Sequence, residues 1–144
     1  MARPVFIEKG VKIDTGVYVN DVLKNGYFPE INAIAGKDWS FQQDGAPSHR
    51  SLPAMAFLKR HTPAFIKNWP PNSPDLNPLD YAIWSILASD VNAQGPKDHS
   101  ELRAAVTRAV RNLDQGVVAR ICSQFAKRLE LCVQQKGGRF EHML

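Results

Sequence analysis

Short apolar runs alternate with helically spaced apolar positions in the first half of this chain, and helical spacing alone governs the second half. Residues 4–8 carry an apolar run closed by Lys9-Gly10, which predicts a strand. Asp14 stands where a helix N-cap belongs, and Val17, Val22 and Leu23 predict a helix over 15–25 with Gly26 as its stop. A short helical piece over 28–34, a strand over 39–43, a helix over 51–60 entered through Pro53 and a brief strand over 64–66 follow. Pro70, Pro71 and Pro74 exclude helix interior and central strand from 67–77, so this stretch is a loop, stiffened by the fixed proline φ. Asn77 caps the next helix, with Pro78 at its first position and Ile83 and Leu87 on its apolar face. Ser100 is the expected cap of a helix presenting Leu102, Val106, Val110 and Leu113. Asp114 caps the last, where Val118, Ile121, Cys122, Phe125, Leu129 and Cys132 recur before Gly137. This order predicts α/β layers over 1–90 followed by a C-terminal helical extension over 91–144.

At 144 residues, 44% hydrophobic and 22% charged, the chain can bury a core without staples and is far from a disordered composition. No apolar run approaches the roughly 18–20 residues of a membrane helix, and Met1-Ala2-Arg3-Pro4 lacks the apolar core of a secretory signal. Cys122 and Cys132 lie about 15 Å apart along one predicted helix, too far to bridge, and read as small core residues in a reducing compartment. The net charge is +4 and unevenly spread: residues 1–100 hold ten Lys/Arg against ten Asp/Glu, residues 101–144 eight against four. Arg103, Arg108, Arg111, Arg120, Lys127 and Arg128 are therefore candidate DNA-phosphate contacts, with a solvated helix surface as the plainer reading.

Candidate chemistry rests on two carboxylates at the edges of regular elements. Asp44 ends the strand over 39–43, and Asp80 sits in the first turn of the helix capped by Asn77, with 35 residues between them. Acids delivered from two elements suit a site where divalent cations flank a phosphate. Each also has a purely structural reading. Asp44-Gly45 is a turn pair whose side chain can bond its own turn, although no alternating strand follows it. An acid at the position of Asp80 favours the helix dipole and can reach back to the cap. Asp75 reads as a turn residue bonding loop amides, and His49 as a residue that supports the site from behind or caps the following helix. Trp39 and Trp84 read as core, and Trp69 as the tryptophan nearest to a nucleic acid. Zinc-ligand spacing, a glycine-rich phosphate loop and a Ser-His-Asp arrangement are not found.

The segments Gln43-Asp44-Gly45-Ala46-Pro47-Ser48-His49 and Ser73-Pro74-Asp75-Leu76-Asn77-Pro78-Leu79-Asp80 resemble the two motifs that carry the second and third catalytic acids of mariner/Tc-type DNA transposases. The similarity continues through Tyr81-Ala82-Ile83-Trp84 and faintly to Lys136-Gly137-Gly138. The resemblance implies a ribonuclease-H-like three-layer α/β fold, with Asp44 and Asp80 as catalytic residues and ligands of two Mg2+ (or Mn2+) ions. It also implies Mg2+-dependent cleavage and strand transfer of DNA in a nuclear setting. The family's first catalytic Asp, on a first strand, has no counterpart among Glu8, Asp14, Asp21, Glu30 and Asp38. The expectation is an N-terminally truncated catalytic domain, inactive alone, that pairs with a second copy or with a complementing chain supplying the first strands. The alternative is a domesticated, non-catalytic DNA-binding or dimerisation module.

Overall fold

The proline loop is where the chain divides. In the computed structural model, which describes residues 2–144, one unit spans Met1–Asn72 and a second spans Ser73–Leu144. The first mixes short helices with a small parallel sheet and the second is helical, and this sheet is the one found among the described residues.

In the first unit, Asp14 caps the helix as predicted, its side chain accepting from the Val17 N–H at 2.9 Å. The helix begins as α1, Thr15–Val17. It continues as a π-helical stretch, Tyr18–Tyr27, and ends as α2, Phe28–Ile34. Strand β1, Ser40–Phe41, is followed by α3, Leu52–His61, capped by Ser51 with Pro53 in its first turn, and then by β2, Ala64–Phe65. The two strands pair in parallel, Ser40 with Ala64 and Phe41 with Phe65. Parallel strands need a crossover, and α3 supplies it. Tyr18, Leu23, Phe28, Ala54 and Leu58 form the buried core, with Trp39, Phe41, Phe57 and Phe65 against them. Phe28 is its aromatic hub, with the Phe57 ring edge-on at 5.0 Å.

Two expectations fail here. Residues 4–8 form no strand, because the paired ladder among the described residues contains β1 and β2 only. The extended N-terminal segment instead packs on the helix: the Arg3 backbone N–H and guanidinium bind Glu30 and hold its carboxyl below its ordinary range. Gly26 does not stop the helix. In a π-helix each N–H reaches back five residues, which draws the Asp21 carbonyl to 2.9 Å from where a Gly26 Cβ would lie, with Val5 Cγ2 at 2.5 Å. Gly26 is thus a close-approach position. Gly26→Ala is expected to cost about 1–3 kcal/mol in overpacking, more than the roughly 1 kcal/mol that alanine gains in helix propensity. Urea unfolding followed by circular dichroism checks this, and an unchanged or raised midpoint would refute it.

The second unit opens with a 3-10 turn, Pro74–Leu76, and a π-helical turn, Leu79–Ile83, that runs into α4, Trp84–Gln94. Gly95 closes α4 in the left-handed region at φ 60°, a conformation glycine adopts without penalty. Helix α5, His99–Asn112, is capped by Asp98, two residues before the expected Ser100, through the Glu101 N–H at 2.8 Å. Helix α6, Gln115–Gln134, is capped by Asp114 as predicted. Its end is drawn in by the Gly137 N–H bonding the Cys132 carbonyl at 2.9 Å, with Gly137 at φ 81°.

Ile83, Leu87, Val91, Ala105, Ala109, Leu113 and Ile121 make the core of this unit. The buried face of α5 is turned toward Ala105 and Ala109, leaving the predicted Leu102 41% exposed. Small residues let α5 approach Leu87 and Val91 of α4 closely. Trp84, read as core, is 53% exposed, and Cys122 is exposed while Cys132 is half-buried. Among the described residues no helix is long and apolar enough to cross a membrane.

Candidate active site

Asp44 follows β1 at the mouth of a tight turn and is exposed. Its Oδ1 accepts two hydrogen bonds, from the Ala46 N–H at 3.0 Å and from His49 Nδ1 at 2.6 Å. A carboxylate only accepts, so His49 Nδ1 is the donor in this pair. The turn reading of Asp44 and its pairing with His49 therefore coexist on one oxygen, and Oδ2 makes no hydrogen bond among the described residues.

His49 is held from behind. The Tyr18 ring lies against it with centroids 4.1 Å apart, and the Tyr18 hydroxyl donates to Gln43 Oε1 at 2.6 Å. Gln43 Nε2 donates in turn to the His49 carbonyl at 3.0 Å. Burial, with the Asp44 charge as a smaller contribution, pushes the Tyr18 phenol well above its ordinary value. Tyr18 thus remains a donor, and a chain of hydrogen bonds runs Tyr18–Gln43–His49–Asp44 next to the end of β1.

Asp80 is exposed at the start of its helix. Buried Asn77, 6% exposed, organises this end. Its carbonyl takes the Asp80 and Tyr81 N–H groups, both at 2.9 Å. Its Oδ1 accepts from the Leu79 N–H at 3.2 Å, and its Nδ2 donates to Asp80 Oδ2 at 2.8 Å. Asp80 Oδ1 makes no hydrogen bond among the described residues. One residue therefore caps the helix and aims the carboxylate, while Pro78 contributes no N–H that would need a partner.

Tyr81, next along, fixes this segment to α6. Its hydroxyl donates to the Ile121 carbonyl at 2.6 Å, and the Arg128 guanidinium carbon stands 3.7 Å from its ring centroid. Burial raises the Tyr81 phenol above its ordinary value, with Arg128 opposing. Arg128 Nη1 also donates to the Asp75 carbonyl at 2.9 Å, while its Nε is buried with no hydrogen-bond partner among the described residues. Arg128 is therefore committed inside the second unit. Asp75 gives its backbone oxygen to this clamp, and its carboxylate bonds no loop amide among the described residues.

The other five candidate phosphate contacts, Arg103, Arg108, Arg111, Arg120 and Lys127, are exposed, with Arg108 Nε bonded to Gln94 Oε1 at 2.9 Å. Trp69 is half-buried. Asp44 with His49 belongs to the first unit, and Asp80 with Asn77 to the second. Among the described residues no group of three or more His, Cys, Asp or Glu side chains is arranged to hold a metal ion. Taken separately, each carboxylate keeps one oxygen without a hydrogen bond among the described residues, and carboxylate oxygens are ligands of the kind oxygen-seeking divalent cations take.

Sequence reasoning missed Tyr18, Gln43 and Arg128 as supports. For Arg128 a signal existed. It lies seven residues after Ile121 and three after Phe125, on the apolar face of α6, where a solvated cation does not belong.

No protein-family model matches this chain. The transposase of the Caenorhabditis briggsae element Tcb1 is 28% identical over 87% of this chain and 45% of that protein. The Tcb2 transposase of the same organism is 26% identical over 87% of this chain and 45% of its own length. The Tc1 transposase of Caenorhabditis elegans is 25% identical over 71% of this chain and 37% of that protein. The chain is thus similar to Tc-type transposases over most of its length, and it spans less than half the length of each of these relatives.

Proposed function

We propose that this chain is part of a Tc-type transposase catalytic domain of ribonuclease-H-like fold and acts on DNA in the nucleus. In this reading Asp44 and Asp80 are two of the three carboxylates that hold catalytic Mg2+ ions. The observation that carries it is the matched treatment of the two acids. Each has one oxygen tied by its own motif, Asp44 by Ala46 and His49 and Asp80 by Asn77, and one oxygen left over. An acid kept only for turn or helix stability needs no such presentation by a buried asparagine or by a histidine backed by a buried tyrosine.

When bound, the ions would activate the attacking oxygen and stabilise the leaving oxygen of a phosphodiester. The chain's own contribution is to orient the two carboxylates: His49 fixes the rotamer of Asp44, and Asn77 that of Asp80.

Manganese tests the pairing without requiring catalysis. Titrated into the isotope-labelled chain, Mn2+ is expected to broaden the amide signals of Asp44 and Ala46 together with those of Asp80 and Tyr81. Mg2+ should compete, and Asp44→Asn should abolish broadening at both places. Broadening at one place alone, or broadening at Asp80 that survives Asp44→Asn, would remove the shared site.

A further inference from the structure

From Gly45 to Pro74 the chain contains no Asp or Glu, yet it carries Arg50, Lys59, Arg60 and Lys67. Divided at the structural boundary, residues 1–72 hold nine Lys/Arg against six Asp/Glu, and residues 73–144 nine against eight. The larger cationic excess thus belongs to the first unit, because Asp75, Asp80, Asp90 and Asp98 fold with the basic helices α5 and α6. The apparent C-terminal excess came from counting along the chain across a boundary that the fold places elsewhere.

Two of these cations share one helix face. Helix α3 buries Ala54 and Leu58, which turns Leu52, Ala56, Lys59 and Arg60 outward on the opposite face. All four are exposed, Leu52 to 86%. Neither Lys59 nor Arg60 takes part in the ion pairs Arg3–Glu30 and His49–Asp44 of this unit, and neither has an acidic partner among the described residues. Exposed Arg50 lies in the turn that precedes α3, its Cδ 3.9 Å from where a Gly45 Cβ would lie, so a cation stands beside the turn that presents Asp44.

We infer that the outward face of α3, with Lys59 and Arg60 at its end and Arg50 in the turn before it, binds the phosphate backbone of DNA. Leu52 and Ala56 between the cations bring no competing charge, and a run of thirty residues without an acid suits a polyanion. The choice of DNA rests on the proposed function; the surface itself does not. Lys59 and Arg60 also favour the C-terminal end of the α3 dipole, and the test separates that role from binding.

The whole chain is titrated against a labelled random-sequence duplex by fluorescence anisotropy, in chelator, at several salt concentrations. Working without divalent cations keeps the result independent of whether Asp44 and Asp80 share a metal. K59E/R60E is expected to weaken binding at least about tenfold at low salt. It should also flatten the slope of log affinity against log salt by about 1–2, at about 0.9 for each phosphate no longer neutralised. K59Q/R60Q should fall between it and the unaltered chain, whereas R111E/R120E on α5 and α6 should change affinity less than about threefold. Circular dichroism confirms that each variant is folded. Failure of the unaltered chain to bind overturns the proposal. So does K59E/R60E binding like the unaltered chain while R111E/R120E fails. Competition by polyglutamate as effective as that by duplex would show a surface for acidic protein instead, and would also overturn it.

Discussion

Tyr18→Ala is expected to destabilise the first unit by about 3–5 kcal/mol, the range for truncating a buried aromatic that leaves a cavity. Tyr18 is 5% exposed and belongs to the core with Leu23, Phe28, Ala54 and Leu58. Its effect should reach Asp44 as well, because the ring backs His49 and the hydroxyl fixes Gln43. Tyr18→Phe separates the two roles. It keeps the ring and leaves Gln43 Oε1 without its donor, which costs about 1–3 kcal/mol for a part-buried group. Urea unfolding gives the stabilities, and the His49 ring signals report whether the imidazole stays ordered against Asp44. A Tyr18→Phe chain as stable as the original, with unchanged His49 signals, would show that the hydroxyl supports nothing.

Arg128→Ala is expected to cost about 2–4 kcal/mol. The stacked guanidinium contributes roughly 1–2 kcal/mol over a partly desolvated ring, and its charged hydrogen bond to the Asp75 carbonyl about 1.5–3 kcal/mol, less what solvent recovers at a half-buried site. Arg128→Lys should rescue little, since an ammonium offers neither the flat face nor the fork. Tyr81→Ala in the Arg128→Ala background should cost less than it does alone, and this coupling is the measurement that isolates the stack. If both substitutions are additive, the contact of Arg128 with Tyr81 carries no energy. The consequence for the site is local. Arg128 ties Asp75, and Tyr81 ties the turn after Asp80, to the same helix, so losing the clamp should loosen the amides of 75–81 before the rest of the unit unfolds. Hydrogen exchange at those positions reads this directly.

The hydrogen bonding around Asp44, His49 and Asp80 was open to a reading of the sequence because it is local. A carboxylate that bonds an N–H two residues on, a histidine five residues away across one turn, and a cap three residues before its acid are all written within a few positions. The caps Asp14 and Asp114 and the stop at Gly137 were legible for the same reason. Each satisfies backbone groups that the chain itself leaves open.

Contacts between distant positions were decided by packing. Tyr18 meets Gln43 across 25 residues and Arg128 meets Asp75 across 53, and no periodicity announces either. The segment 4–8 has strand composition but became a packed arm, because a strand exists only where another strand supplies its ladder. Gly26 looked like a stop and proved to be a point of contact with Val5, since the π-helical path that brings them together leaves no mark on residue choice. Charge follows the same logic. The count of Lys and Arg is a property of the chain, but which acids stand near them depends on the division at Asn72–Ser73. Local hydrogen-bonding demands select motifs and caps, whereas burial, which engages whole surfaces at once, selects the partners.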